Sequence, residues 1–260
     1  MRVVIVGRGR LGRSLALLLP ARGQPVTLCA HDEALPEADV ILLTVNDDNV
    51  ATTAASLPLG PIVLHTAGAL GLDVLLPHER RGSLHPLMSF PGPERGVPPT
   101  DGVPAAIAGH PEALAAARAL AERLGFRAFE VPGDRRLYHA AAVMAGNYAT
   151  VLHDAASTLL TAAGVDPALA PSLLAPLALA SIQQGAKVGP TKALTGPLAR
   201  GDAQAVAAQL HAIEALNPEL AALYRAVGAW GLLHTLHDAP LSEDQRAALC
   251  VALGLDAAQR

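Results

Sequence analysis

The chain has 260 residues, of which 51% are hydrophobic and 16% charged, with a formal net charge of −4. That length suits two domains better than one overgrown core, and the apolar content excludes a disordered chain. The charge is spread without a basic stripe, which argues against nucleic acid and anionic membrane as partners and leaves a small molecule.

Cys29 and Cys250 stand far apart and outside any CxxC or Cys/His cluster, so neither a disulfide nor a structural zinc site is expected and a reducing cytoplasm fits. The apolar opening before Gly7 is too short for a signal peptide. No stretch provides about 20 consecutive apolar residues free of Gly, Pro and charge, as a membrane helix requires.

In chain order, Arg2 to Val6 is an apolar run ending at glycine, the pattern of a parallel strand buried on both faces. Pro25 to Ala30, Val40 to Val45, Pro61 to His65, Val103 to Ala108 and Ala128 to Val131 repeat it between segments of helical period, with a further strand expected near Ser83. This βαβ rhythm predicts an α/β fold: a doubly wound, mostly parallel Rossmann sheet with ligands at the carboxyl ends of its strands. Beyond Pro132 the β pattern stops. The chain therefore divides into a dinucleotide-binding domain, 1–132, and an all-helical substrate and dimerisation domain, 133–260. In the latter, helices are expected from Asp134 to Ala163, Pro167 to Ala186, Asp202 to Leu216, Pro218 to His237 and Ser242 to Leu253, with a structured loop at Gly189 to Pro197.

Gly7-Arg8-Gly9-Arg10-Leu11-Gly12 matches G-x-G-x-x-G and lies directly between the first strand and a helix. The first glycine permits the turn, the second lets backbone approach a pyrophosphate, and the third allows helix to pack on strand. The helix N-terminus then offers N–H donors to phosphate, with Arg8 or Arg10 within reach. A Rossmann-like turn that has lost its ligand is the alternative.

For the choice of cofactor, His31 at the end of the second strand suits the 2′-phosphate of NADP, whereas Asp32 would suit the free ribose hydroxyl of NAD. NADP is the expectation and NAD the alternative; both residues also fit an ordinary turn. Val45, Asn46 and Asp47, with Asp48 and Asn49, leave the third strand either as a cofactor wall or as helix caps. His65, His85 and Ser89 follow apolar strands on the ligand side, where a histidine can protonate the atom left basic by hydride addition; the competing role is packing. On the long helix, His139, Val143, Gly146 and Thr150 share one face, with Asn147 at its edge. Gly146 in mid-helix points to close approach of a ligand or of another backbone.

On Gly7 to Gly12, His65 to Gly68, Ser83 to Phe90, Tyr138 to Val143 with Asn147, and Ala193 to Asp202, the chain resembles a family of bacterial Rossmann-like proteins carrying a C-terminal helical domain of unknown function. That family is related to pyrroline-carboxylate reductase and the 6-phosphogluconate dehydrogenase superfamily. The resemblance implies an NAD(P) domain, a helical domain that forms a homodimer, and a substrate cleft between them. Ala67 and Met88 depart from the serine and glutamine commoner in the family. Val143 stands one turn before Asn147, where the related β-hydroxyacid dehydrogenases have lysine, so the proton donor falls to other groups: His85 or His139, with Lys192 and Thr195 as further candidates. Reduction of a small carbonyl or imine is the leading expectation; a non-catalytic NAD(P) sensor or interaction module is the alternative.

Overall fold

In the computed structural model, residues Met1–Leu255 are described. They form two compact units, Met1–Asn147 and a second that begins at Tyr148.

In the first unit the short β-branched and leucine-rich runs become strands: β1 (Val3–Val6), β2 (Val26–Cys29), β3 (Val40–Leu43), β4 (Ile62–His65), β5 (Arg81–Pro86), β6 (Pro104–Gly109) and β7 (Arg127–Glu130). They build one sheet in the order β2-β1-β3-β4-β5-β6-β7. The first five strands are parallel, while β6 pairs antiparallel with β5 and parallel with β7. Alternate side chains serve opposite faces. Val3, Ile5, Val40, Leu42, Ile62 and Leu64 pack on one side with Leu15 and Leu19 of α1 (Arg10–Ala21) and the alanine-rich face of α3 (Pro111–Arg123). Val4, Val6, Ile41, Leu43 and Val63 pack on the other with Val50 and Ala54, the latter two on α2 (Val50–Ala55). Burial on both faces explains why these strands read as continuous apolar runs.

Two consequences place the site. The chain goes from β1 to β2 on one side and on to β3 on the other, so a crevice opens at the carboxyl ends of β1 and β3, the point where doubly wound sheets take ligands. In addition, Val6, Leu43 and His65 are in register, as are His65 and Ser83, while β5 continues to Pro86. His85 is thereby carried past the end of β4.

The helical stretch expected from Asp134 starts as α4 (Arg135–Val143), capped by the Asp134 carboxylate, which accepts from Arg136 N at 2.8 Å. It then changes to a π-helical turn at Met144–Tyr148, and resumes as α5 (Ala149–Ala162). The division between units falls inside that turn, fifteen residues beyond Pro132, because α4 belongs with the sheet: the Tyr138 ring lies edge-on to Phe129 of β7 and to His85 of β5. Composition changes where the strands stop; the fold divides only after the helix that covers them.

The second unit continues with α6 (Ala170–Val188), α7 (Pro190–Ala193), α8 (Ala203–Leu216), α9 (Pro218–Trp230), a π turn at Gly231–Thr235 and α10 (Glu243–Ala252). Val206, Leu210, Ile213, Ala221, Leu249 and Leu253 make its core. Asp202, Asn217 and a Ser242/Gln245 capping box begin α8, α9 and α10. Among the described residues no helix is long and apolar enough to cross a membrane.

Candidate functional site

The three motif glycines do three different things. A Cβ on Gly7 would lie 2.8 Å from the Thr44 carbonyl carbon, and its φ of 120° is in the region side chains avoid. A Cβ on Gly12 would overlap the Gly7 carbonyl and the Thr44 hydroxyl. Both are needed for α1 to close on the sheet. Thr44 itself completes the packing, its buried hydroxyl lying 3.1 Å from the Val6 carbonyl and 3.0 Å from that of Gly7. Gly9 differs: its backbone is extended, at φ −70° and ψ −179°, and a Cβ there would meet only the Thr44 carbonyl oxygen, at 3.9 Å. Neither conformation nor packing requires glycine at that position.

Gly9 is also the N-cap of α1, whose first turn holds no acidic residue and whose end no side chain caps. Backbone N–H groups at such an end attract an anion. Gly9, Arg10 and Leu11 line a groove of about 370 Å³ together with Thr44, Val45, Asn46, Asp47 and, on the far wall, Thr66, His85, Pro86, Met88 and Phe90. The structure thus brings together most of the residues expected at the cofactor. Asn46 begins the short turn Asp47–Asn49 without a side-chain capping bond, so capping does not account for it. The open face at Gly9 and the uncapped helix end fit a dinucleotide pyrophosphate.

At the end of β2, His31 and Asp32 are exposed. The carboxylate fixed there belongs to Glu33, which sequence spacing did not single out. It accepts from the Ala30 backbone N–H at 2.9 Å and pairs with Arg8 at 2.8 Å.

His65 does not reach the groove. It is fully buried at the end of β4, because β4 lies inside the sheet and its last side chain is covered by the segment that follows. It stands behind a cluster built by β5 and α4. His85 Nδ1 lies 2.6 Å from Tyr138 Oη, and the His85 and His139 rings meet edge to face at 6.1 Å. Gly68 makes room for them: a Cβ there would overlap the His139 ring and sit 3.0 Å from His85 Nε2. Arg135 reaches under the cluster, donating to the Ala67 carbonyl at 3.3 Å, with its guanidinium 5.8 Å from the Tyr138 ring centre.

This cluster faces a second cavity of about 680 Å³, lined by His85, Ser89, Tyr138, His139 and Asn147 among apolar groups such as Leu87, Phe129 and Val143. His85, Pro86 and Met88 form a wall common to cavity and groove. Gly146 also lines the cavity, and a Cβ on it would meet nothing within 4 Å, so helix packing does not explain that glycine. Lys192 and Thr195 belong to the second unit, exposed on α7 and just after it. Tyr138, Arg135, Thr44 and Glu33 are the residues that sequence reasoning passed over as site residues. Tyr138 stood in the family-like segment; nothing in spacing alone distinguishes the other three.

Residues 103–230 match the family model described as Domain of unknown function (DUF2520). No curated protein matches the chain. Among solved structures, a protein from Thermotoga maritima is 26% identical, with 91% of this chain and 98% of that one covered at a TM-score of 0.73. A candidate NADP oxidoreductase from Bacteroides fragilis is 20% identical over the same shares, at 0.72. Pyrroline carboxylate reductase from Plasmodium falciparum, solved with NADP bound, is 12% identical over 96% and 98%, at 0.55. The chain therefore has the Rossmann-type fold with a helix-rich C-terminal region.

The DUF2520 match begins at the last two strands and continues through α4 to the end of α9, so Arg135, Tyr138, His139 and Asn147 fall within it and the glycine turn does not. Burial, then the charges of His139 and Arg135, lower the pKa of His85 to about 4. Burial, then Arg135, does the same to His65, lowering it to about 4, with backbone groups of Gly71 and Ala67 opposing. Both imidazoles are neutral at pH 7. Since the unfolded chain titrates near 6.5, it binds more protons than the folded one between about pH 6.5 and 4. The stability these histidines contribute is whole above that window and is lost as pH falls through it, by up to about 3 kcal/mol each. The melting temperature is expected to drop steeply across this range and to flatten in His65→Asn. A wild-type curve already flat there contradicts the assignment.

Proposed function

We propose that this protein is a reductase that binds NADPH across the glycine turn and transfers hydride to a small carbonyl or imine compound. Gly9 carries the reading, because among the described residues nothing packs against this open glycine at an uncapped helix end, and a ligand's close approach accounts for it. A reduced nicotinamide supplies a hydride to an electrophilic carbon. The protein's part is to hold the pyrophosphate on the amides of Gly9 to Leu11, line the nucleotide's path with Val45, Asn46 and Asp47, and present substrate from the cavity behind His85. Among the described residues none of that cavity's lining is Asp, Glu, Lys or Arg, which favours an uncharged, largely apolar substrate.

The preference for NADPH rests on the Arg8 guanidinium beside the end of β2 and on the NADP named for the Bacteroides and Plasmodium proteins. Glu33 opposes it: its carboxylate suits a ribose hydroxyl and occupies Arg8. Glu33→Gln is therefore expected to improve affinity for NADPH over NADH by about tenfold, or about 1.4 kcal/mol. Calorimetric titration of both nucleotides into wild type and variant reads this directly. No binding of either nucleotide to the wild type would end the reductase reading, and binding with no turnover on any carbonyl or imine would favour a sensor.

The second unit pairs with a second copy of the chain. Along the 19 residues of α6 only Ala170 is buried, while Leu173, Leu177, Leu179 and Ile182 are exposed. So many large apolar side chains exposed along one helix require cover. Sedimentation is expected to give a dimer that Leu177→Glu weakens; a wild-type monomer at micromolar concentration contradicts it.

A further inference from the structure

Resting on the reductase reading, we infer that Tyr138 and Arg135 are positioning residues for proton delivery: Tyr138 holds His85 in one tautomer and replaces the proton it gives up, and Arg135 balances the charge this leaves. Three observations carry it. The Tyr138 hydroxyl and His85 Nδ1 are 2.6 Å apart, and His85 stands in the wall between groove and cavity. Arg135 is more than half buried with Nε and Nη1 lacking hydrogen-bond partners. The adjacent carboxylate, Asp134, is taken by Arg136 at 2.7 Å.

A partly buried cation with no ion-pair partner among the described residues is costly to keep. Its cost is explained when a negative charge forms beside it. The titratable and charged groups facing His85 are Arg135, Tyr138 and His139 of α4 and His65 of β4. Tyr138 is the one whose loss of a proton leaves a negative charge, and Arg135 is the cation beside its ring.

The neutral imidazole carries one proton. With the Tyr138 O–H donating to Nδ1, that proton is on Nε2, at the Gly68 side where the rings are given room. As a substrate C=X bond takes hydride from the reduced nicotinamide, its π electron pair moves to X. X then bonds to the Nε2 proton as the Nε2–H bond breaks. Nδ1 takes the Tyr138 proton as the O–H bond breaks, which returns the imidazole to neutrality. The phenolate left behind faces Arg135, and the cycle closes when Nδ1 returns its proton to the Tyr138 oxygen as Nε2 takes one from water in the cavity, which restores the starting tautomer. A neutral histidine thus delivers a proton without ever carrying a full charge. Burial raises the pKa of Tyr138 and Arg135 opposes that rise, so the hydroxyl is protonated and ready at neutral pH.

The test uses full-length protein with 15N-labelled histidine. The wild type is expected to show His85 Nδ1 as an unprotonated acceptor and Nε2 protonated at pH 7, and Tyr138→Phe to lose that bias. Nδ1 carrying the proton in the wild type, or nitrogen shifts unchanged in Tyr138→Phe, overturns the inference whatever the activity. The ultraviolet titration of tyrosine gives an independent reading: Arg135→Gln is expected to move one ionisation to higher pH and Arg135→Lys to leave it near wild type. No movement in Arg135→Gln overturns the role of the cation. With a panel of neutral carbonyls and cyclic imines, Tyr138→Phe is expected to lower kcat about 30-fold with KM and nucleotide Kd unchanged, and to remove the alkaline fall in rate. An unchanged kcat refutes the delivery role. Loss of nucleotide binding by the wild type instead refutes the reductase reading, while the nitrogen shifts still decide the tautomer.

Discussion

Gly9→Asp is expected to lower affinity for NADPH by at least about 100-fold, or about 2.7 kcal/mol, while the melting temperature stays within a few degrees of wild type. The carboxylate would project from the N-cap of α1 into the groove, because the protein puts no atom closer to a Cβ there than the Thr44 oxygen at 3.9 Å. In the free protein it is an acceptable cap, since aspartate at an N-cap accepts the first N–H groups and complements the helix dipole. With nucleotide present it occupies the pyrophosphate's donors and repels its charge. The variant therefore separates ligand binding from folding. Calorimetry and thermal melting on one preparation check both halves, and wild-type affinity in Gly9→Asp would show that the phosphates lie elsewhere.

Gly12→Ala is expected to do the opposite: it removes about 3 kcal/mol of stability, an overpacking cost at the upper end of the usual range, whether or not nucleotide is added. Its Cβ would overlap the Gly7 carbonyl and the Thr44 hydroxyl. Both lie beneath the first turn of α1, and the hydroxyl is anchored to Val6 and Gly7. Relief requires α1 to lift from the sheet, which would also disturb the packing of Leu15 and Leu19. Denaturant unfolding measures the loss. A variant as stable as wild type would mean that helix and strand are less tightly joined than this geometry holds. One motif thus contains a glycine that serves the fold and a glycine that serves a ligand, and a single methyl or carboxylate tells them apart.

These contrasts also mark how far the sequence could be read. The central strands were legible, because runs such as Val40 to Leu43 are buried on both faces and must be apolar throughout, whereas β5, Arg81–Pro86, includes arginine, serine and histidine and was expected only near Ser83. The glycine turn was legible because strand, turn and helix are consecutive in the chain. The reversed direction of β6 was not, since an apolar run carries no sign of its orientation. Nor was the partnership of His85 with Tyr138, which lie 53 residues apart and meet because α4 folds back on the sheet. His65 and His85 both end or follow apolar runs and look alike in sequence. They differ because β5 extends past β4, burying one histidine and leaving the other in the wall of the site. Glu33 rather than Asp32 is fixed at the end of β2 because the backbone turns there, returning its carboxylate to the Ala30 N–H.

The central claim is that the open face at Gly9 receives a dinucleotide whose nicotinamide reaches the wall formed by His85. A crystal structure of the protein grown with NADPH tests it most directly. The expected result is the pyrophosphate on the backbone N–H groups of Gly9 to Leu11, and the nicotinamide ring against His85 and Pro86 with one face open to the cavity behind them. A nucleotide whose phosphates lie away from Gly9, or whose nicotinamide is turned out of the groove, would contradict it.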